Sequence, residues 1–225
     1  MRVLERLRGG LIVSVQAEAD SVLNTPETIA LLARCAEQNG AAGVRAEGET
    51  RLRAVRSAVR GPIVGLVKRR HTGFEPYITT TLDEIEAVVA SGCELVAFDA
   101  TERPRAGGLD VPGLVRALHV RSRLAMADCA TLADMEAAAA AGADVVATTL
   151  AGYTKATRGR TLPALDLIEA FAPRHPFVVC EGGIASPDDV RRAFAFGAAA
   201  VVAGTALTNV DVLIRRFASA APRGA

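Results

Sequence analysis

The amino-acid sequence predicts an α/β protein of the (β/α)8 barrel class, with residues 1–225 forming a single domain. Three observations carry that expectation. Short runs rich in Val, Ile, Leu and Ala alternate with helix-like segments along the whole chain, the order that favours parallel strands joined by helical crossovers. The runs recur at intervals of roughly 20 to 35 residues, as a strand plus its crossover helix requires. A chain of 225 residues, 50% of them hydrophobic, can also bury one sizeable core at a length where single-domain barrels are common.

The strands are expected near Leu11–Val15, Gly43–Arg45, Ile63–Val67, Leu95–Phe98, Leu124–Ala127, Val145–Thr148, Phe177–Cys180 and Ala200–Ala203. Eight such units closing on themselves make a TIM barrel. Helix starts support the division. Thr81-Leu-Asp-Glu84 has capping-box form, Thr131 to Asp134 and Ser186 to Asp189 are looser versions of it, and Thr25-Pro26 pairs a capping hydroxyl with a first-turn proline. Gly40, Gly92, Gly142 and Gly197 stand where helices should end. The opening MRVLERLRGG reads as a short amphipathic helix, the tail from Ala218 to Ala225 as frayed, and Arg103–Asp110 and Gly152–Leu162 as mobile loops.

Composition narrows the function. Lys and Arg number 26 against 25 Asp and Glu, so no overall field draws the chain to nucleic acid or anionic lipid, and a small-molecule partner is the default. Cys35, Cys93, Cys129 and Cys180 form no paired zinc or redox spacing and read as reduced structural thiols of a cytoplasmic protein. The uncharged stretch Ala193 to Val210 is broken by glycines, threonines and an asparagine, which argues against a membrane span. His71, His119 and His175 are scattered, and no metal site is expected. Dinucleotide, P-loop, zincin and serine-hydrolase motifs are absent.

The chemistry is expected at the carboxyl ends of the strands, where barrel enzymes carry it. In order these ends offer Gln16, Arg45, Lys68, Asp99, Asp128, Thr148 with Thr149, Glu181, and Gly204 with Thr205. Structural roles compete with functional ones for several of them: Gln16 could bond loop backbone, Arg45 could pair with Glu47 or Glu49, and Asp99 could cap the following turn. Lys68 is the strongest candidate, a cation that directly follows the apolar run PIVGLV and stands as a potential base. Glu181 is the matching potential acid. Gly182, Gly183 and Gly204 follow strands seven and eight, where barrel loops bind phosphate through backbone N–H groups, although tight turns would also use them.

The segments GLIVSVQA, GVRAEG, IVGLVKR, YITTTLDE, VAFDAT, MADCAT, TTLAGYT and CEGGI resemble, in that order and nearly end to end, the N-acetylmannosamine-6-phosphate 2-epimerases. The resemblance implies a cofactor-independent isomerase of sialic-acid salvage that interconverts N-acetylmannosamine 6-phosphate and N-acetylglucosamine 6-phosphate. It implies Lys68 and Glu181 as catalytic residues and Gln16, Arg45 and Asp128 as sugar contacts, while the place of Gly182, Gly183, Gly204 and Thr205 after strands seven and eight puts the phosphate there. The partner is then an N-acetylated hexosamine 6-phosphate, and a homodimer is allowed. Gly183 and Asn209 stand where that family commonly carries cations, so Arg69 or Arg158 is expected to compensate. Two other readings remain open: a Schiff-base aldolase-like barrel using Lys68, and a non-catalytic barrel that binds a phosphosugar.

Overall fold

The computed structural model describes residues 2–222. Eight parallel strands close in sequence order: β1 (Leu11–Ser14), β2 (Gly43–Glu47), β3 (Ile63–Leu66), β4 (Leu95–Asp99), β5 (Leu124–Asp128), β6 (Val145–Ala147), β7 (Val178–Glu181) and β8 (Ala200–Ala203), with β8 pairing β1. Each lies within about two residues of its expected place, the scatter normal for element ends. Two extensions matter. β2 runs on past Arg45 to Glu47, paired with Leu66, and β4, β5 and β7 include the acidic residues Asp99, Asp128 and Glu181 at their last positions.

Helices follow the strands: α1 (Arg2–Leu7) precedes β1, then come α2 (Pro26–Gln38), α3 (Glu49–Ala58), α4 (Leu82–Ala90), α5 (Val111–His119), α6 (Leu132–Ala140), α7 (Leu165–Phe171), α8 (Pro187–Ala195), α9 (Thr205–Thr208) and α10 (Val210–Ala220). Reciprocal capping boxes form at Thr81/Glu84 and Thr131/Asp134, and Thr25 and Ser186 cap α2 and α8. Each satisfies backbone N–H groups that a helix start leaves free. Ala218 to Ala220 complete α10 and are not frayed, while Arg223 to Ala225 of the expected tail lie outside the described residues. Neither long loop is free: the first is held by Arg105, whose buried guanidinium donates to the carbonyls of Asp99 and Thr101, and the second by a hydrogen bond from Gly152 N–H to the Thr157 hydroxyl.

Strand alternation divides the core in two. Ile12, Val64, Leu66, Leu95, Ala97, Met126, Val145, Ala147, Val179 and Val202 pack with one another inside the barrel. Leu7 of α1 joins them, so the first helix closes the barrel's amino end. The alternate residues, among them Val13, Val44, Val96, Ala127, Val178 and Val201, pack outward against Ile29, Leu52, Ile85, Leu114 and Ile168 of the helices. Because side chains alternate with period two, the inward series continues past the apolar layers to Gln16, Arg45, Glu47, Lys68, Asp99, Asp128, Thr149, Glu181 and Gly204. One parity rule thus carries every strand into a polar rim.

Candidate active site

At the carboxyl face this rim opens into a cavity of about 390 Å³, lined by Gln16, Arg45, Glu47, Lys68, Tyr77, Thr149, Tyr153, Glu181, Gly182, Gly183, Gly204, Thr205 and Arg216, among others. Its floor is an ion-paired cluster. The buried Arg45 guanidinium donates to both oxygens of Asp128, at 3.1 and 2.6 Å, and its Nη1 also lies 3.1 Å from Glu181 Oε2. The Thr149 hydroxyl lies 2.8 Å from Asp128 Oδ1 and 3.0 Å from Glu181 Oε2, and can donate to either. Asp128 is fully buried. It does not line the cavity and acts from beneath by fixing Arg45.

The electrostatics of the cluster set Glu181 apart. Burial lifts its carboxyl from 4.5 to about 7, reinforced by the Asp128 charge and opposed by Arg45, Thr149 and Lys68. Arg45 experiences the reverse balance: burial works against its charge, but Asp128 and Glu181 outweigh burial and raise it above the usual arginine value. Glu181 Oε2 faces two protein donors, which leaves Oε1 as the oxygen able to hold a proton. A carboxyl poised near neutrality can donate or accept a proton, as acid-base catalysis requires.

Lys68 is fixed by its backbone. The loop after β3 turns back so that Lys68 stands opposite Ile78 in an antiparallel bridge, flanked by hydrogen bonds from Arg69 N–H to Tyr77 O and from Thr79 N–H to Val67 O, both 2.9 Å. The returning segment also wedges against β4, where Asp99 N–H donates to Ile78 O. Thr79 adopts φ +45°, unusual for a β-branched residue, and its buried hydroxyl accepts from Val67 N–H. Lys68 does not sink into the core as a buried strand end would: its side chain is 43% exposed and reaches over the cavity to within 3.5 Å of Glu47 Oε2.

Other sequence candidates separate into site and scaffold. Gln16, Gly182, Gly183, Gly204 and Thr205 line the cavity, with Gln16 Nε2 3.3 Å from the Thr205 hydroxyl. Gly183 sits at φ +75°, where a Cβ would stand 2.3 Å from that of Leu162, so no side chain fits there. Asp99 is spent on structure, accepting from Thr101 and Arg103. Thr148 brackets the Glu181 backbone, donating to its carbonyl and accepting from its N–H. The three histidines pair with Glu84, Asp144 and the Ala143 carbonyl. Arg69 lies beside Glu84 and Arg158 is exposed; neither lines the cavity, so the expected compensation by them is not met.

Tyr77, Tyr153, Glu47 and Arg216 line the cavity and escaped the sequence reading as site members, and the two charged ones are instructive. Glu47 appeared only as a partner for Arg45, yet it falls two residues after Arg45 in the inward series, a signal sufficient to find it. Arg216 lies in α10, twelve positions beyond Gly204, and no local pattern connects it to the rim. Among the described residues no group of three or more His, Cys, Asp and Glu side chains is arranged to hold a metal ion. No described helix is long and apolar enough to cross a membrane.

Comparisons with known proteins agree with this fold. The profile of the family described as "Putative N-acetylmannosamine-6-phosphate epimerase" matches residues 29–223. A relative of that description from Synechococcus elongatus is 48% identical over 221 residues, covering 96% of this chain and 95% of its own. Another, from Clostridium perfringens, is 37% identical over 216 residues, covering 96% and 98%. The solved structure of the N-acetylmannosamine-6-phosphate 2-epimerase from Clostridium perfringens superposes with a TM-score of 0.92 at 36% identity, covering 96% of this chain and 95% of that one. FabK from Thermotoga maritima, at 20% identity and a TM-score of 0.61, shares the fold alone. By its sequence from end to end and by its barrel, the chain belongs to the N-acetylmannosamine-6-phosphate epimerase family.

Proposed function

We propose that the protein interconverts N-acetylmannosamine 6-phosphate and N-acetylglucosamine 6-phosphate by removing and returning the proton at C2 of the ring-opened sugar. The observation that carries this reading is the convergence of Lys68 and Glu181 on one cavity above the Arg45–Asp128 pair. Ring opening exposes an aldehyde at C1, which acidifies the C2 proton. Glu181, poised near neutrality, serves the proton transfers of ring opening. Lys68 in its neutral form takes the C2 proton, the electron pair passes toward the C1 oxygen, and Glu181 in its protonated form returns a proton on the opposite face, which inverts the centre and leaves the pair set for the reverse reaction. Arg45 offers a fixed cation on the cavity floor for the oxygen that gains charge, and Gln16 and Arg45 hold the sugar, with Asp128 bracing Arg45.

The phosphate seat in this reading comprises the backbone N–H groups around Gly182, Gly183, Gly204 and Thr205, with Arg216 as its cation. Arg216 and Arg45 are the two arginines in the cavity lining, and with Arg45 held by Asp128 and Glu181 this supports Arg216 as the replacement for the cations missing at Gly183 and Asn209. No metal or cofactor enters any step. The buried free thiols of Cys93, Cys129 and Cys180 suit a reducing cytoplasm, where sialic-acid salvage would supply the substrate. A homodimer is supported by α10, which has no buried residue and carries Ile214 and Phe217 exposed; sedimentation velocity tests it, and a monomer at micromolar concentration would exclude it. The activity itself is tested by proton NMR on N-acetylmannosamine 6-phosphate without added metal or nucleotide, and absence of epimerisation would overturn the reading.

A further inference from the structure

Among the described residues, Glu47 is the one acidic residue of the rim with an oxygen that is shielded from solvent and accepts no hydrogen bond. Asp99 is satisfied by Thr101 and Arg103, and Asp128 and Glu181 by Arg45 and Thr149. Glu47 Oε1 is held by Arg51 Nη2 at 3.1 Å, while Oε2 is shielded from solvent, accepts no hydrogen bond, and lies 3.5 Å from Lys68 Nζ. That separation is an ion-pair contact. Arg51 is itself locked: its Nε donates to the Glu47 carbonyl at 2.9 Å and its Nη1 to Asn24 Oδ1 at 2.9 Å. Gly48 makes the arrangement possible, because a Cβ there would stand 2.6 Å from Arg51 Nη2.

We propose that Glu47 is the positioning residue of Lys68, the end of a fixed chain from Asn24 through Arg51 to the catalytic amine. Lysine is a flexible four-carbon stem with a large rotamer entropy, and this one is 43% exposed. Nothing else within ion-pair distance restrains its nitrogen among the described residues. A carboxylate fixed by Arg51 confines Nζ to one side of the cavity, so that the amine meets C2 in a reactive pose and does not sample solvent. It also faces the positive charge that appears on Nζ when the C2 proton arrives. Glu47 gives up and takes no proton in this role.

The inference rests on the assignment of Lys68 as the base, and the experiment separates the two. Glu47→Gln keeps the shape and removes the charge. The expected result is a fall in kcat of about 10- to 100-fold, the scale of effect that misplacement of a reacting group produces, with KM changed less than about twofold. The isotope effect with C2-deuterated substrate should rise as proton abstraction becomes limiting, a change that loss of folding would not cause. Arg51→Met, which leaves the Glu47 charge but frees it, should lower kcat in the same direction, and the double variant should be no slower than Glu47→Gln alone because the two act as one unit. Unchanged kcat and isotope effect in Glu47→Gln, additive losses in the double variant, or a raised KM with intact kcat would overturn the proposal. Lys68→Ala is measured in parallel: if it still turns over, the assignment of the base is wrong, whereas an inactive Lys68→Ala beside a Glu47→Gln that behaves as wild type rejects Glu47 alone.

Discussion

Arg45 Nη1 lies 3.1 Å from Glu181 Oε2 while the same guanidinium grips Asp128, so one buried cation serves two buried carboxylates. Burial is what lifts the Glu181 carboxyl to about 7; the Asp128 charge adds to it, and the shared Arg45 cation opposes it without cancelling it.

Removing the cation leaves both acids buried without a partner. Arg45→Met is expected to destabilise the fold by about 3–5 kcal/mol, the usual cost of breaking a buried pair on one side. Asp128→Asn in that background should recover part of the loss, since it deletes one of the stranded charges. Denaturant melts of the two variants check this, and a single variant as stable as wild type would show that the pair contributes nothing.

The raised Glu181 carboxyl makes a signed prediction for stability. The folded chain keeps a proton that the unfolded chain releases between about pH 4.5 and 7, so this contribution is fully present below 4.5 and is lost as pH rises through 7. Its size is at most about 3 kcal/mol. Glu181→Gln should therefore gain stability relative to wild type at pH 8 and show much less of that gain at pH 5. Equal differences at both values would contradict the poise.

Arg216→Ala should raise KM for the phosphorylated sugar by about 10-fold or more, as loss of a charge-assisted contact to phosphate would, with kcat changed far less. Turnover of the unphosphorylated sugar, however slow, should not respond. Restoring a cation by Gly183→Lys should fail, because Leu162 occupies the space and the backbone is left-handed there; steady-state kinetics on both variants test this division of labour.

Much of the barrel was legible because the strands are short, buried on both faces and punctuated by caps whose chemistry is local, such as Thr81 with Glu84. The rim was legible because inward parity is a property of sequence spacing. Where the reading of β2 stopped at Arg45, it missed that pairing with β3 continues to Glu47 opposite Leu66, and so left the ion-pair partner of Lys68 out of the site. Asp99 has the right parity but is captured by Thr101 and Arg103 in the next few residues, a competition that spacing alone does not decide. Arg216 depends on how α10 returns across the barrel mouth, and that is set by tertiary packing.

The central claim is that Lys68 takes the C2 proton, and proton NMR in deuterated water measures it most directly. Wild-type protein is predicted to interconvert the two epimers without added metal or nucleotide and to place deuterium at C2, while Lys68→Ala, folded to the same melting temperature, should do neither. Epimerisation with C2 exchange that persists in Lys68→Ala would contradict the account.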